Sequence, residues 1–134
     1  MDKRPSSAGK PILLLFNIND PEKMAAIRLL ALRLGLRSIE VPPERQSCTL
    51  KELLAEEVSA SGEAVFRDEM MVMYGLSSAA MHELLDTLRN HSQSVRLKAV
   101  VTGTNRNWTA ARLHRELLAE ETALSNWKRS RHPS

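Results

Sequence analysis

Seven consecutive residues, Thr102, Gly103, Thr104, Asn105, Arg106, Asn107 and Trp108, put hydroxyls, amides, a guanidinium and an indole between an apolar run and an amphipathic one. Backbone N–H groups in such a loop, at the positive end of a helix, favour phosphate or carboxylate, and Arg106 adds a fork that grips an anion through two nitrogens. The same residues also have structural uses. Asn105 and Asn107 suit turn backbones, Gly103 suits a tight bend, and Trp108 with Leu113 makes a hydrophobic staple around the capping residue Thr109. Thr102 to Trp108 are therefore the candidate ligand-binding residues.

No other grouping reads as chemistry. His82 and Asp86 lie one turn apart on the polar side of a helical stretch, where a solvated pair is the better reading than a catalytic dyad. His114 is expected to be exposed. Cys48, just before a helix start, reads as a small buried hydrophobe with no second Cys or His beside it in the sequence. A glycine-rich phosphate loop, a paired-Cys or His-Glu-x-x-His metal spacing and a Gly-x-Ser-x-Gly elbow are all missing. The reading assigns no catalytic residue, no metal ligand and no cofactor.

The elements that position the loop occur twice. An apolar run, a helix, a second apolar run and a capped helix extend from Ile12 to Glu57 and again from Met70 to Glu121, and Glu-Leu-Leu-Ala-Glu-Glu stands at both Glu52–Glu57 and Glu116–Glu121. Ile12 to Phe16 and Met70 to Tyr74 are unbroken apolar runs that suit strands buried on both faces. Asp20 with Pro21 starts the first long helix and Gly35 ends it. Ser77 or Ser78 starts the second, whose Met81, Leu84, Leu85 and Leu88 recur at helical spacing and which ends near His91. Ser38 to Val41 and Leu97 to Thr102 are the shorter strands, the former stopped by Pro42 and Pro43 near a sheet edge. Thr49 and Glu52 form a capping box, with Cys48 and Leu53 as its staple, for a helix Leu50 to Val58; Thr109 caps a longer one, Ala110 to Ala123.

Such a pattern defines an α/β (α+β) fold, duplicated β-α-β-α halves making a four-stranded sheet with helices on both faces. A ferredoxin-like arrangement is favoured, and a small parallel doubly wound sheet is the alternative. The domain is expected over residues 11–124, in halves 11–58 and 69–124, with disordered tails at 1–10 and 125–134. Of a net charge of +3, the tails carry +5 and leave the body slightly acidic, so the pI of about 9.4 is a property of the ends. No apolar stretch approaches the roughly 20 residues that span a bilayer, and the first ten residues are polar, which points to a cytoplasmic protein without membrane association. Phe16 and Tyr74 occupy the positions where RNA-recognition sheets carry stacking aromatics. With aromatic residues at only 4% and aliphatic neighbours at Leu14 and Val72, core packing is the better reading.

The run Phe66-Arg-Asp-Glu-Met-Met-Val-Met-Tyr-Gly-Leu-Ser77 and the run Leu97-Lys-Ala-Val-Val-Thr-Gly-Thr-Asn-Arg-Asn-Trp108 resemble a bacterial domain family of unknown function, domain of unknown function 3783. Phe16 to Ile18 and Arg33 to Leu36 are similar to the segment that precedes that domain in many members, so the resemblance extends over roughly Pro11 to Glu121. It implies no activity, substrate or catalytic residue. The expectation is a non-catalytic binding or regulatory module for a protein partner or a small ligand. The alternative is an anion or nucleic-acid binder using the 102–108 loop and the basic tails, although the distribution of charge makes nucleic acid the weaker partner. A homodimer through edge strands is a further expectation, opposed at one edge by Pro42 and Pro43.

Overall fold

The computed structural model describes residues 10–57 and 62–131, with side chains as far as Lys128. Four strands, β1 (Ile12–Phe16), β2 (Arg37–Val41), β3 (Met70–Tyr74) and β4 (Leu97–Val100), form one sheet in the order β2-β1-β3-β4. Helices α1 (Pro21–Arg33) and α3 (Ser78–Asn90) follow β1 and β3, while α2 (Leu50–Leu54) and α4 (Ala110–Arg131) follow β2 and β4. The four-stranded α/β sheet expected from the sequence is present, with helices on both faces. Its strand order differs from both closures considered. A ferredoxin-like sheet would insert a strand of one half between the two of the other, and a doubly wound sheet would be parallel throughout. Here each half keeps its own strands together in parallel, and the halves meet through antiparallel β1 and β3. Short returns account for this: only three residues separate α1 from β2, which favours the adjacent slot about 4.8 Å away over one twice as far.

At the centre of the sheet Leu14 pairs with Val72, and these occupy corresponding positions of the two halves. A second such contact lies outside the sheet, where Thr49 bridges Thr109. Leu50 N–H donates to Trp108 O and Ala110 N–H donates to Cys48 O, both at 3.0 Å. The two contacts are the marks of a local twofold relation between the halves.

Alternation along β1 and β3 divides the core into two layers. Ile12, Leu14, Phe16, Met70 and Val72 face α2 and α4, packing on Leu50, Leu53 and Leu113; Leu13, Leu15, Met71 and Met73 face α1 and α3, packing on Ile27, Leu30, Leu84 and Leu88. Both strand faces are thus covered, as their unbroken apolar sequence requires. Phe16 is fully buried, whereas Tyr74 is 36% exposed, and the antiparallel register puts them at opposite ends of the ladder. No aromatic platform exists.

The helix ends follow local chemistry. Asp20, Thr49, Ser77 and Thr109 each accept a backbone N–H of the first turn, and Glu52 Oε1 accepts from Thr49 N–H at 2.8 Å to complete the expected capping box. α1 and α3 both close through a left-handed residue, Gly35 (φ 76°) and Ser92 (φ 58°). The next N–H reaches back five residues in each, Leu36 to Ala31 O and Gln93 to Leu88 O. α2 is shorter than expected: it stops at Leu54 because Glu56 turns left-handed (φ 57°) and Glu57 N–H bonds to Glu52 O, while Val58 lies outside the described residues. α4 is longer than expected. It runs to Arg131 through a series of good helix formers, so residues 125–131, expected to be a disordered basic tail, are helical, and its side chains are exposed from Ala119 to Lys128. The first expected tail lies outside the described residues except for Lys10. Among the described residues no helix is long and apolar enough to cross a membrane.

Removing the side chain at the central pair should be costly: Leu14→Ala is expected to lower unfolding free energy by about 2–5 kcal/mol in urea titration, against under about 0.5 kcal/mol for Leu32→Ala on the open face of α1. Ser92→Gly should raise the thermal midpoint, by about 0.5–1 kcal/mol of stability, since a left-handed residue without Cβ is unstrained there.

Candidate functional site

A recess lies at each end of the central strand pair, and among the described residues the two differ in what fills them. Beside Phe16 the recess is closed by the chain itself. Phe66 inserts with its ring centroid 5.9 Å from that of Phe16 and stacks on the His114 imidazole at 4.2 Å, nearly parallel. Gln46, 1% exposed, holds the backbone of this strap with both ends of its amide. Its Oε1 accepts from Val65 N–H (2.6 Å) and Phe66 N–H (2.9 Å), and its Nε2 donates to Phe66 O (3.0 Å). Asn17 Nδ2 donates to Phe66 O and Asp68 O, at 3.1 and 3.0 Å, from a left-handed backbone (φ 58°). His114 is therefore buried, not exposed as expected. Its Nε2 lies 2.7 Å from Asp68 Oδ2 and donates to it, because an ionised carboxylate only accepts. With Phe66 over its face, His114 acts as a strut. The sequence reading left Phe66 between the halves 11–58 and 69–124, whereas the fold puts it in the core.

Beside Tyr74 the corresponding recess is left open by the described residues, a groove of about 490 Å³ whose wall includes Tyr74, Ile12, Leu54, Val101, Gly103 and Arg106. Lys10 and Lys51 line it too. Among the described residues Lys10, Lys51 and Arg106 make no salt bridge, unlike Lys23, Arg28, Arg33, Arg37, Arg89 and Arg96, each of which holds an acidic side chain. Three unpaired cations around an apolar floor favour a ligand that is both anionic and partly apolar.

The 102–108 loop divides between two tasks. Thr102, Gly103 and Arg106 line the groove. Asn105 is buried and pins the loop: its Oδ1 accepts from Thr102 N–H at 2.8 Å, its Nδ2 donates to Val100 O at 3.1 Å, and its N–H donates to Thr102 Oγ1 at 3.1 Å. Trp108 packs against the core with the Arg112 guanidinium 4.2 Å above its ring. Thr104 and Asn107 are exposed and are not part of the groove wall. Gly103 does not relieve a tight bend: its φ is not positive, and a side chain there would meet open space. Tyr74, Lys51, Leu54 and Lys10 join the site from other elements. Correspondence with Phe16 was the available signal for Tyr74, whereas the lysines are ordinary surface residues until the fold gathers them.

Elsewhere, Cys48 is buried as expected. His82 and Asp86 are both exposed, and Asp86 pairs with Arg89 instead. Among the described residues no group of His, Cys, Asp and Glu has the arrangement to hold a metal ion.

Loss of the Gln46 amide would leave the amides of Val65 and Phe66 without their buried acceptor. Gln46→Ala is accordingly expected to cost about 3 kcal/mol and to release the strap, seen as faster hydrogen exchange at Val65 and Phe66. Arg106→Ala, at an exposed position, should change stability by no more than about 0.5 kcal/mol in the same denaturation experiment.

Comparison with curated proteins and with solved structures found no match. The family comparison did: the match spans β3, α3, β4 and the first turns of α4, which is the half that contributes Tyr74, Gly103 and Arg106 to the groove. Residues 69–124 of this chain match the model of DUF3783, a family described as a domain of unknown function.

Proposed function

We propose that this protein is a non-catalytic binding module whose ligand, a small molecule or part of a protein partner, places an anionic group in the groove beside Tyr74. The observation that carries the reading is the meeting of Lys10, Lys51 and Arg106, without acidic partners among the described residues, around the end of the central strand pair that no described residue fills. An anion there gains charge-assisted hydrogen bonds, and the Arg106 fork accommodates two acceptor oxygens at once. The residues lining the groove include no carboxylate, imidazole or thiol. Its polar wall is Thr102 and Tyr74 hydroxyls with the three cations, a set suited to holding a charge rather than to moving a proton. The two halves are read as copies of one unit, of which one recess became structural and the other a site.

Titration of the full chain with inorganic phosphate, followed by amide shifts, tests this. Shifts are expected at Gly103, Arg106 and Tyr74, weakening as salt rises, and Lys51→Ala with Arg106→Ala should reduce them. A spectrum unmoved at these residues up to tens of millimolar phosphate would rule the reading out.

A further inference from the structure

We propose that the natural occupant of this groove is the C-terminal end of an acidic polypeptide whose last residue is aromatic, its ring over Tyr74 and Leu54 and its terminal carboxylate on Arg106. The inference rests on the anion-site reading and adds the ligand's class. Its template is the closed recess. There, the residue against Phe16 and His114 is Phe66, and the group that anchors it is its own carbonyl oxygen, gripped by Gln46 and Asn17. In the open recess the corresponding positions are held by Tyr74 for Phe16, Leu54 for His114, Arg106 for Gln46 and Gly75 for Asn17. The ring slot is kept while the anchor is changed. Gly75 keeps the left-handed backbone of Asn17 (φ 76° against 58°) and contributes no amide.

The exchange of Gln46 for Arg106 selects the ligand. Gln46 both accepts from two peptide N–H groups and donates to one carbonyl, which is what an internal stretch of chain presents. A guanidinium only donates. An internal segment in the open groove would lose the acceptor for its two N–H groups, whereas a chain end offers two oxygens and matches the fork. Lys10 and Lys51 then face the acidic residues that precede the terminal one. Residues 1–10 of the sequence contain no aromatic residue.

The test uses the full chain and the synthetic peptide acetyl-Asp-Glu-Ala-Val-Phe with a free carboxylate. Its controls are the same peptide as a C-terminal amide and a version ending in Ala. The acid should bind with amide shifts at Gly75, Gly103 and Arg106, and each control should bind at least about tenfold more weakly. Arg106→Gln, which installs the residue of the closed recess, should bring acid and amide within about twofold of each other. Equal binding of acid and amide to the unaltered protein overturns the inference, as do shifts confined to other surfaces. If phosphate moves Gly103 and Arg106 while the peptide neither binds nor competes, the chain-end ligand is wrong and the anion site stands; if neither ligand moves them, both fall.

Discussion

The whole arrangement depends on two strands, each apolar at every position, being paired antiparallel at the centre of the sheet. Leu13, Leu14 and Leu15 are fully buried, as are Met71 and Val72 opposite them, so neither strand tolerates an open face or an edge. At about 25 cal/mol per Å² of apolar surface removed from water, burying each such side chain favours folding by about 1.5–3 kcal/mol, which makes this pair the dominant local contribution. Everything more polar is pushed outward. β2 and β4, each with two exposed residues and only one fully buried, take the edges, and the helices must come in pairs because each strand presents two faces.

A second consequence is that the recesses at the two ends need not be alike. Side chains at a handful of positions determine whether a recess is filled. A buried glutamine that serves two N–H donors and one carbonyl acceptor is an anchor for peptide backbone; an exposed arginine at the related position can only donate. The buried glutamine is tolerable because its amide is satisfied at both ends, and with the His114 ring bonded to Asp68 the closed recess holds its polar groups in one connected network.

Much of this was legible in the chain and some was not, for physical reasons. Element types, caps and the division of the core came from period and capping chemistry, which act within a few residues: Asp20, Thr49, Ser77 and Gly35 each do what their local sequence implies. The string Glu-Leu-Leu-Ala-Glu-Glu shows where local sequence stops deciding. At Glu52 to Glu57 the chain leaves the helix through a left-handed Glu56, whereas at Glu116 to Glu121 the same residues lie within a helix that runs on to Arg131. Strand order was equally out of reach, since the pattern of apolar residues is the same in the interleaved and the side-by-side closures. At the site, Arg106, Thr102 and Gly103 were identifiable from their loop. Lys10, Lys51 and Leu54 were not, because long-range pairing alone brings them to Tyr74. His114 was misread for the same reason: a polar residue on a helix reads as exposed until a distant Phe66 covers it.

The asymmetry of the two recesses has a topological cause. In an antiparallel pair each strand begins beside the other's end, so the residues entering β3 must pass over the end of β1, and those entering β1 over the end of β3. The described part of the connection from α2, residues 62–69, takes this route. It passes Glu44, whose carbonyl accepts from Gly62 N–H at 3.0 Å, and reaches the recess beside Phe16 as residues 65–68. A connecting segment that must lie there in every molecule becomes core once one of its side chains fits the slot, and Phe66 does. The segment entering β1 is not the connection between the two halves. Nothing in the joining of the halves therefore fills the recess beside Tyr74, and its substitution toward unpaired cations carries no cost to the core.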